Sequence, residues 1–510
     1  MYNIGLGSWP ARRAQLSPRR TAIRYLDRSY SYAQLAVRVA RLARRLADAG
    51  VTPGRRVAYL GPNHPAFVES MFATFAAGGI FVPLNARLSA PEIDYMLDDA
   101  APAVFIHAPE NAAVVQRLTG GGRVGTVVAL ADPDVGEEDY EPWLNSGPAA
   151  PPEVAVSIDD IALILYTSGT TGRPKGAMLS HENLIWNTYH QLIGIDVTAD
   201  EVALVAAPMF HCVALANILL PTFLKGGCAL IAPHWNVDEI LDVVERDRVT
   251  WMFGVPAMFS ELARSARWPD ADLSSLRNLM VGGSPVPSSL IAEYQARGLV
   301  FCQGYGLTET GPSAAFVEKS ESVRKAGSAG APMFFGTIRI ERPDGSDAAV
   351  GERGEVLIAG PNITPGYWNR PDATANLLTE DGWLHSGDLG SLDEDGYLFI
   401  VDRLKDMFVS GGENVYPAEV EDALLHHAAV SEAAVVGVAD DRWGEVGRAF
   451  VVCRPGTHPD DSEFEDFLVT RLAKYKVPAH IVYVPELPRT ASGKVRKADL
   501  RSRPLPLETR

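Results

Sequence analysis

Tyr166-Thr167-Ser168-Gly169-Thr170-Thr171-Gly172-Arg173-Pro174-Lys175-Gly176 stands between an apolar run, Ile161–Leu165, and a helix-like run that starts at Glu182. Four aliphatic hydroxyls, three glycines and two cations converge on this loop. Glycines let a backbone approach a ligand closely, and hydroxyls with amide N–H groups suit phosphate oxygens. The spacing is not that of GxxxxGK[ST], so the loop is not a Walker A motif.

Working outward, strand-like runs alternate with helical ones from about Thr21 to Pro361. Residues 57–60, 103–106, 127–130, 161–166, 229–232 and 250–253 read as short buried strands, and 32–49 and 238–247 as amphipathic helices. This alternation predicts parallel sheets covered by helices, an α/β class. Residues 330–366, richer in Gly and charge, predict a small β unit, and 147–152 a linker. A compositional break at Asp402–Asp406 divides the chain. Beyond it, strands at 430–438, 448–454 and 480–484 and helices at 417–426 and 461–473 suffice for a separate α+β domain. The expected division is therefore 1–401, a hinge at 402–406, and a small mobile domain at 407–510.

The 510 residues carry 46 Lys+Arg and 63 Asp+Glu, a formal net charge of −17. That balance argues against nucleic acid as a partner, because phosphate-backbone binding needs a basic surface. Cys212, Cys228, Cys302 and Cys453 form no CxxC pair and no metal-ligand spacing. So few scattered cysteines suit a reducing compartment. Residues 1–13 lack an apolar core of signal-peptide length, and the most apolar stretch, Val213–Leu224, is too short to span a bilayer and contains Asn217 and Pro221. A cytoplasmic protein with no integral membrane segment is expected. A homo-oligomer is compatible with the sequence.

Further motifs follow in order: Gly282-Gly283-Ser284-Pro285, Gly304-Tyr305-Gly306-Leu307-Thr308-Glu309-Thr310, Trp383-Leu384-His385-Ser386-Gly387-Asp388, Asp402-Arg403-Leu404-Lys405-Asp406, Gly411-Gly412-Glu413-Asn414-Val415-Tyr416-Pro417 and Pro488-Arg489-Thr490-Ala491-Ser492-Gly493-Lys494-Val495-Arg496-Lys497. An aromatic face suits a purine, and a lone carboxylate beside phosphates suits magnesium.

With the 166–176 loop, these motifs resemble those of the adenylate-forming superfamily, which includes acyl-CoA synthetases, over essentially the whole chain. The resemblance implies a large multi-sheet N-terminal domain of the acyl-adenylate-forming fold and an ATP-dependent carboxylic acid:CoA ligase. Its small-molecule partners would be a carboxylic acid, ATP with Mg2+, and coenzyme A. Thr167, Ser168, Gly169, Thr170, Thr171, Gly172 and Lys175 would form the phosphate loop, and Gly283 and Ser284 the wall against adenine. Tyr305 would stack on adenine, Thr308 contact the α-phosphate, and Glu309 with Thr167 hold Mg2+. Asp388 would accept the ribose hydroxyls, Arg403 contact the nucleotide, and Lys405 be the pivot of domain rotation. Lys494 would be catalytic, bridging the carboxylate and the α-phosphate.

His211, in Pro208-Met209-Phe210-His211-Cys212, stands where amino-acid-activating relatives carry an Asp, which argues against an amino acid substrate. The expected acyl tunnel is lined by Val213, Ala214, Ala216, Trp251, Phe253, Val255 and Ala314. Residues 402–420 resemble actinobacterial medium- to long-chain fatty acyl-CoA synthetases. Residues 3–10 and 59–65 instead resemble bacterial feruloyl-CoA synthetases. The expectation leans to fatty acids, with a feruloyl or other aryl acid as the alternative and a carrier-protein-loading acyl-AMP ligase as a lesser one.

Overall fold

The computed structural model describes residues 3–119, 124–131, 138–167, 174–284, 286–404, 406–410, 413–440, 443–457, 459–490 and 493–503. Residues 168–172 of the phosphate loop and Lys405 lie outside these. Among the described residues, the strands form four sheets.

Two large sheets build the N-terminal part. The first has seven strands, in the order Glu138–Asp139, Thr126–Ala129, Val104–His107, Arg56–Leu60, Ile80–Leu84, Ile161–Thr167 and Lys175–Ser180. All its pairs are parallel except the last, so the 166–176 motif turns the chain back along the sheet edge. The second has nine strands. Its centre is parallel, through Phe301–Tyr305, Asn278–Val281, Trp251–Gly254, Val202–Val205 and Cys228–Ile231. Short antiparallel pairs close both of its ends.

Strand period explains the layering. Val57 and Tyr59 enter the main core, whereas Ala58 and Leu60 enter a second core on the opposite face. Trp251 and Phe253 likewise face the main core, and Met252 faces a third. Helices fill the space between and outside the sheets. Tyr32–Asp48 starts at a capping box of Ser31 and Gln34 and buries Leu35, Val39, Leu42 and Leu46. Pro65–Ala76 is buried on every side, which its apolar composition permits. His181–Gly194 starts at a second capping box, of Ser180 and Asn183.

The expected β unit is a four-stranded antiparallel sheet of Thr337–Glu341, Gly354–Ala359, Leu384–Leu392 and Leu398–Arg403. It extends beyond the 330–366 stretch read from composition, because its last two strands carry the Asp388 and Arg403 motifs. The strand Leu398–Arg403 also runs through the boundary expected at 401, so Asp402 and Arg403 belong to this sheet.

The remaining sheet includes Val430–Asp440, Gly444–Cys453 and His480–Tyr483, with helices Pro417–Leu425 and Asp461–Val469. Val435 faces one core and Ala434 and Val436 face another, as alternation requires. No helix among the described residues is long and apolar enough to cross a membrane.

Burial pushes the imidazoles of His64, His181, His190 and His211 down to about 4. They are neutral in the fold and titrate near 6.5 once unfolded, so the unfolded chain binds more protons between those values. Their contribution is complete above pH 6.5 and is lost as pH falls toward 4. Thermal midpoints measured from pH 7.5 to 5 should fall, with up to about 2 kcal/mol lost per histidine at pH 5. His190→Leu should flatten the slope, since neither ring nitrogen of His190 has a hydrogen-bond partner among the described residues. An unchanged slope would show that folding does not shift the titration of His190.

Candidate active site

The motifs converge where the second large sheet meets the four-stranded sheet. Close backbone approach is the first constraint. A Cβ at Gly282 would lie 2.6 Å from the Gly304 carbonyl oxygen, and one at Gly306 only 1.8 Å from that of Pro312. Gly283 adopts φ +84°, and beyond it only Val255 lies near. Gly283 and Ser284 are exposed there, leaving an open face at the carboxyl ends of parallel strands.

Asp388 is almost sealed, yet both its oxygens are bound. The Tyr305 hydroxyl donates to Oδ2 at 2.6 Å, and Arg403 Nε lies 2.8 Å from Oδ1. Asp388 and Arg403 are register partners on adjacent strands. Burial, followed by the neighbouring Asp388 charge, raises the Tyr305 hydroxyl far above its ordinary value, so it remains a donor. Ser386 Oγ accepts from the Asp388 backbone N–H at 3.0 Å.

Glu309 lies on the short 3-10 turn Thr308–Thr310 and is buried. The Tyr367 hydroxyl donates to its Oε1 at 2.6 Å, and Lys175 Nζ lies 5.2 Å from the centre of the Tyr367 ring. Tyr367 thus joins the carboxylate to a cation at the base of the phosphate loop. At that base, Thr167 and Lys175 pair across the two strands, and the Thr167 hydroxyl donates to the Lys175 carbonyl at 3.4 Å. Among the described residues nothing bonds the second oxygen of Glu309. A hard oxygen donor there fits a divalent cation.

His211 follows a turn closed by its own N–H to the Pro208 carbonyl. Its Nε2 is buried and has no hydrogen-bond partner among the described residues. Desolvation, then the positive charges of Lys494 and Arg87, hold the ring neutral. The Lys494 charge, from the far end of the chain, therefore acts on the His211 ring. Lys494 sits on a tight turn in which Thr490 N–H donates to the Lys494 carbonyl at 2.7 Å and Lys494 N–H donates to Thr490 Oγ1 at 3.1 Å. Arg489 anchors this turn through the Gly493 carbonyl at 2.7 Å and Glu432 at 2.5 Å.

The acyl-tunnel expectation needs correction. Ala214, Ala216 and Trp251 are wholly inaccessible and belong to the main core. Ala314 is buried in a cluster with Tyr305 and Leu307. Ala214 and Ala216 lie on a π-helix, Val213–Leu219, that packs into the main core. Val213 and Val255 remain half-buried, and Phe253 borders Gly282. Sequence reasoning missed Tyr367 and Arg87. No local signal marked either, since both act through partners distant in the chain.

The AMP-binding enzyme family model matches residues 10–368, and the model of the AMP-binding enzyme C-terminal domain matches 419–494. The chain is an AMP-binding enzyme. It is 50% identical over 503 residues to a feruloyl-CoA synthase of an Amycolatopsis species, covering 99% of this chain and 100% of that one. It is 42% identical to an indoleacetate–CoA ligase of Aromatoleum aromaticum, with 97% of each chain covered. It is 35% identical to the long-chain-fatty-acid–CoA ligase FadD13 of Mycobacterium tuberculosis, with 98% of each covered. Among solved structures, ATP-bound MatB of Rhodopseudomonas palustris superposes with a TM-score of 0.92 at 32% identity, covering 98% of each chain. This AMP-binding enzyme is an acid–thiol ligase of the acyl-CoA synthetase type. The lean toward fatty acids is not supported: identity to the feruloyl-CoA synthase exceeds identity to the fatty-acid ligase over equal coverage.

Gly306→Ala should lower adenylate formation roughly 10²-fold, because even a 1 Å displacement of a reacting group has that effect. Gly304→Ala should be mild, since its Cβ would meet nothing closer than 3.6 Å. ATP–pyrophosphate exchange on both variants checks this. Equal activities would mean that the Gly306–Pro312 contact does not position the site.

Proposed function

We propose that this enzyme converts an aromatic carboxylic acid of the hydroxycinnamate type, ferulate in particular, to its CoA thioester through an acyl-adenylate, with ATP as the energy source. The observation that supports the reaction is electrostatic: the charge of Lys494, from the C-terminal domain, acts on the His211 ring. The acid class is supported by the 50% identity to a feruloyl-CoA synthase along the full chain.

In the first half-reaction a carboxylate oxygen attacks the α-phosphorus of ATP. The bond to the β-phosphate oxygen breaks and pyrophosphate leaves. Lys494 bridges the two anions as charge builds between them. Thr308 holds the α-phosphate, and Lys175 with the 168–172 loop holds the outer phosphates. Tyr305 packs on adenine beside the Gly283–Ser284 wall. Asp388 accepts the ribose hydroxyls, with Arg403 at its edge. Glu309 and Thr167 would hold Mg2+, which neutralises phosphate charge when bound. His211, neutral and facing no carboxylate, borders the acid without competing for Lys494.

In the second half-reaction the CoA sulfur attacks the acyl carbonyl and AMP leaves, its phosphate oxygen keeping the electron pair. The C-terminal domain turns about Lys405 to withdraw Lys494 and admit the thiol, a gating step. The units are a nucleotide-binding domain that ends with the strand Leu398–Arg403, a hinge at the end of that strand within 402–406 and a mobile domain from 407. Asp402 fits this division: its Oδ2 accepts from Ala418 N–H at 2.8 Å, at the first turn of Pro417–Leu425.

Lys494→Ala should reduce adenylate formation roughly 10²–10³-fold. Thioester formation from supplied feruloyl-AMP should be spared. Equal loss in both half-reactions would remove Lys494 from the first. A pyrophosphate-release panel of ferulate, cinnamate, indoleacetate and fatty acids from C6 to C16 tests the acid. Ferulate is expected to give the highest kcat/KM. A fatty acid ranking first would overturn the aryl reading and leave the ligase standing.

A further inference from the structure

Leu60-Gly61-Pro62-Asn63-His64-Pro65 leaves the strand Arg56–Leu60, the middle strand of the first large sheet. No step of the reaction above uses it. Two prolines restrict its backbone. Pro65 opens the helix Pro65–Ala76, and His64 caps it, its Nδ1 accepting from the Ala66 N–H at 3.1 Å. That helix is buried along its whole length. Asn63 therefore projects from a rigid base, and it is itself buried.

The hydrogen-bond partners of Asn63 all come from the other large sheet and the segment that leaves it. Its Nδ2 donates to the Ala207 carbonyl at 3.0 Å and to the Ala232 carbonyl at 3.2 Å, with the Val205 carbonyl at 3.4 Å. Its Oδ1 accepts from the Met209 N–H at 2.8 Å. A carbonyl only accepts and a backbone N–H only donates, so a single orientation of the amide satisfies all of them. Val205 ends one strand, and Ala232 follows the end of its parallel neighbour. Ala207 and Met209 lie beyond, on the segment that leads to His211.

These last two bonds fall on either side of Pro208. Pro208 has no N–H to give, and its carbonyl takes the His211 N–H that closes the turn. Ala207 and Met209 are buried, whereas Pro208, Phe210 and His211 are half-buried. An amide rooted in one sheet thus fixes the backbone that carries His211 out of the other. Joining the two sheets would need only the bonds at Val205 and Ala232. The bonds at Ala207 and Met209 lie past the strand and act on the turn.

We infer that Asn63 is a positioning residue for the acid half of the site, which sets the His211 ring by clamping the backbone at Ala207 and Met209. The proposal rests on the reading above that His211 borders the acid. The Tyr305, Asp388 and Arg403 group is built from other elements, so loss of the clamp should be felt by the acid and not by ATP.

The test is a double-mutant cycle on Asn63→Asp and His211→Ala, read as kcat and KM for ATP and for whichever acid of the panel above has the highest kcat/KM. Asp keeps the oxygen that Met209 needs and turns a second oxygen toward three carbonyls. In Asn63→Asp, kcat/KM for the acid should fall roughly 10- to 100-fold, toward the effect of a 1 Å displacement and chiefly through a higher acid KM, with the KM for ATP unchanged. In the His211→Ala background the same substitution should add little, because its target is gone. Losses that multiply would show that Asn63 does not act through His211 and would overturn the assignment. A lower kcat with both KM values unchanged would show that Asn63 only keeps the enzyme folded, and would overturn it equally. Asn63→Ser, which retains a smaller donor and acceptor, replaces Asn63→Asp if the latter does not fold. Failure of both to fold would assign the amide to stability and overturn the proposal. A His211→Ala enzyme with unchanged acid kinetics would instead overturn the reading of His211 as an acid-side residue, and the proposal with it.

Discussion

The shared carboxylate of Asp388 joins three parts of the molecule. Tyr305 reaches it from the second large sheet, and Arg403 reaches it from the last strand before the C-terminal domain. A buried carboxylate must have partners for both oxygens, so neither contact is dispensable to the fold. Any ligand hydroxyl that binds Asp388 must share it with these partners. A ligand hydroxyl at Asp388 would therefore be felt at Arg403, one residue from Asp402. Asp402 and Arg403 are neighbours on a strand and face opposite ways. Asp402 grips the first turn of Pro417–Leu425, while Arg403 grips the Asp388 side. The two domains thus meet at a strand end whose adjacent side chains hold one domain each.

Electrostatics at the other end of the site follow from burial. An imidazole without a carboxylate beside it, near two cations, stays neutral. The neutral ring adds no charge of its own beside Lys494. The tight turn from 489 to 495 matters for the same reason, because a lysine alone is flexible and its placement comes from Arg489 and Thr490.

Much of this was legible in the sequence, for identifiable reasons. Buried strands such as Ile161–Thr167 and Trp251–Gly254 are short apolar runs between turn residues, and those runs exist for packing. The phosphate loop, Tyr305, Glu309 and Asp388 announce themselves because their chemistry demands unusual residue clusters. The acyl pocket did not, because wall and core draw on the same small apolar residues. Ala216 illustrates the failure: family resemblance and small size place it on the tunnel, while the structure buries it in the core on a π-helix. Tyr367 was silent because its role depends on Glu309 and Lys175, 58 and 192 positions away in the sequence.

Asn217 was visible all along as the polar interruption of an apolar stretch, and its meaning changes once the fold is known. In sequence it argues only that residues 213–224 do not span a bilayer. In the structure its oxygen closes a network whose other members come from the helix His181–Gly194 and the loop after Gly311. A buried amide oxygen needs donors, and Asn187 and Ser313 supply them. The network thus ties the π-helix Val213–Leu219 to the helix His181–Gly194 and to the loop after Gly311.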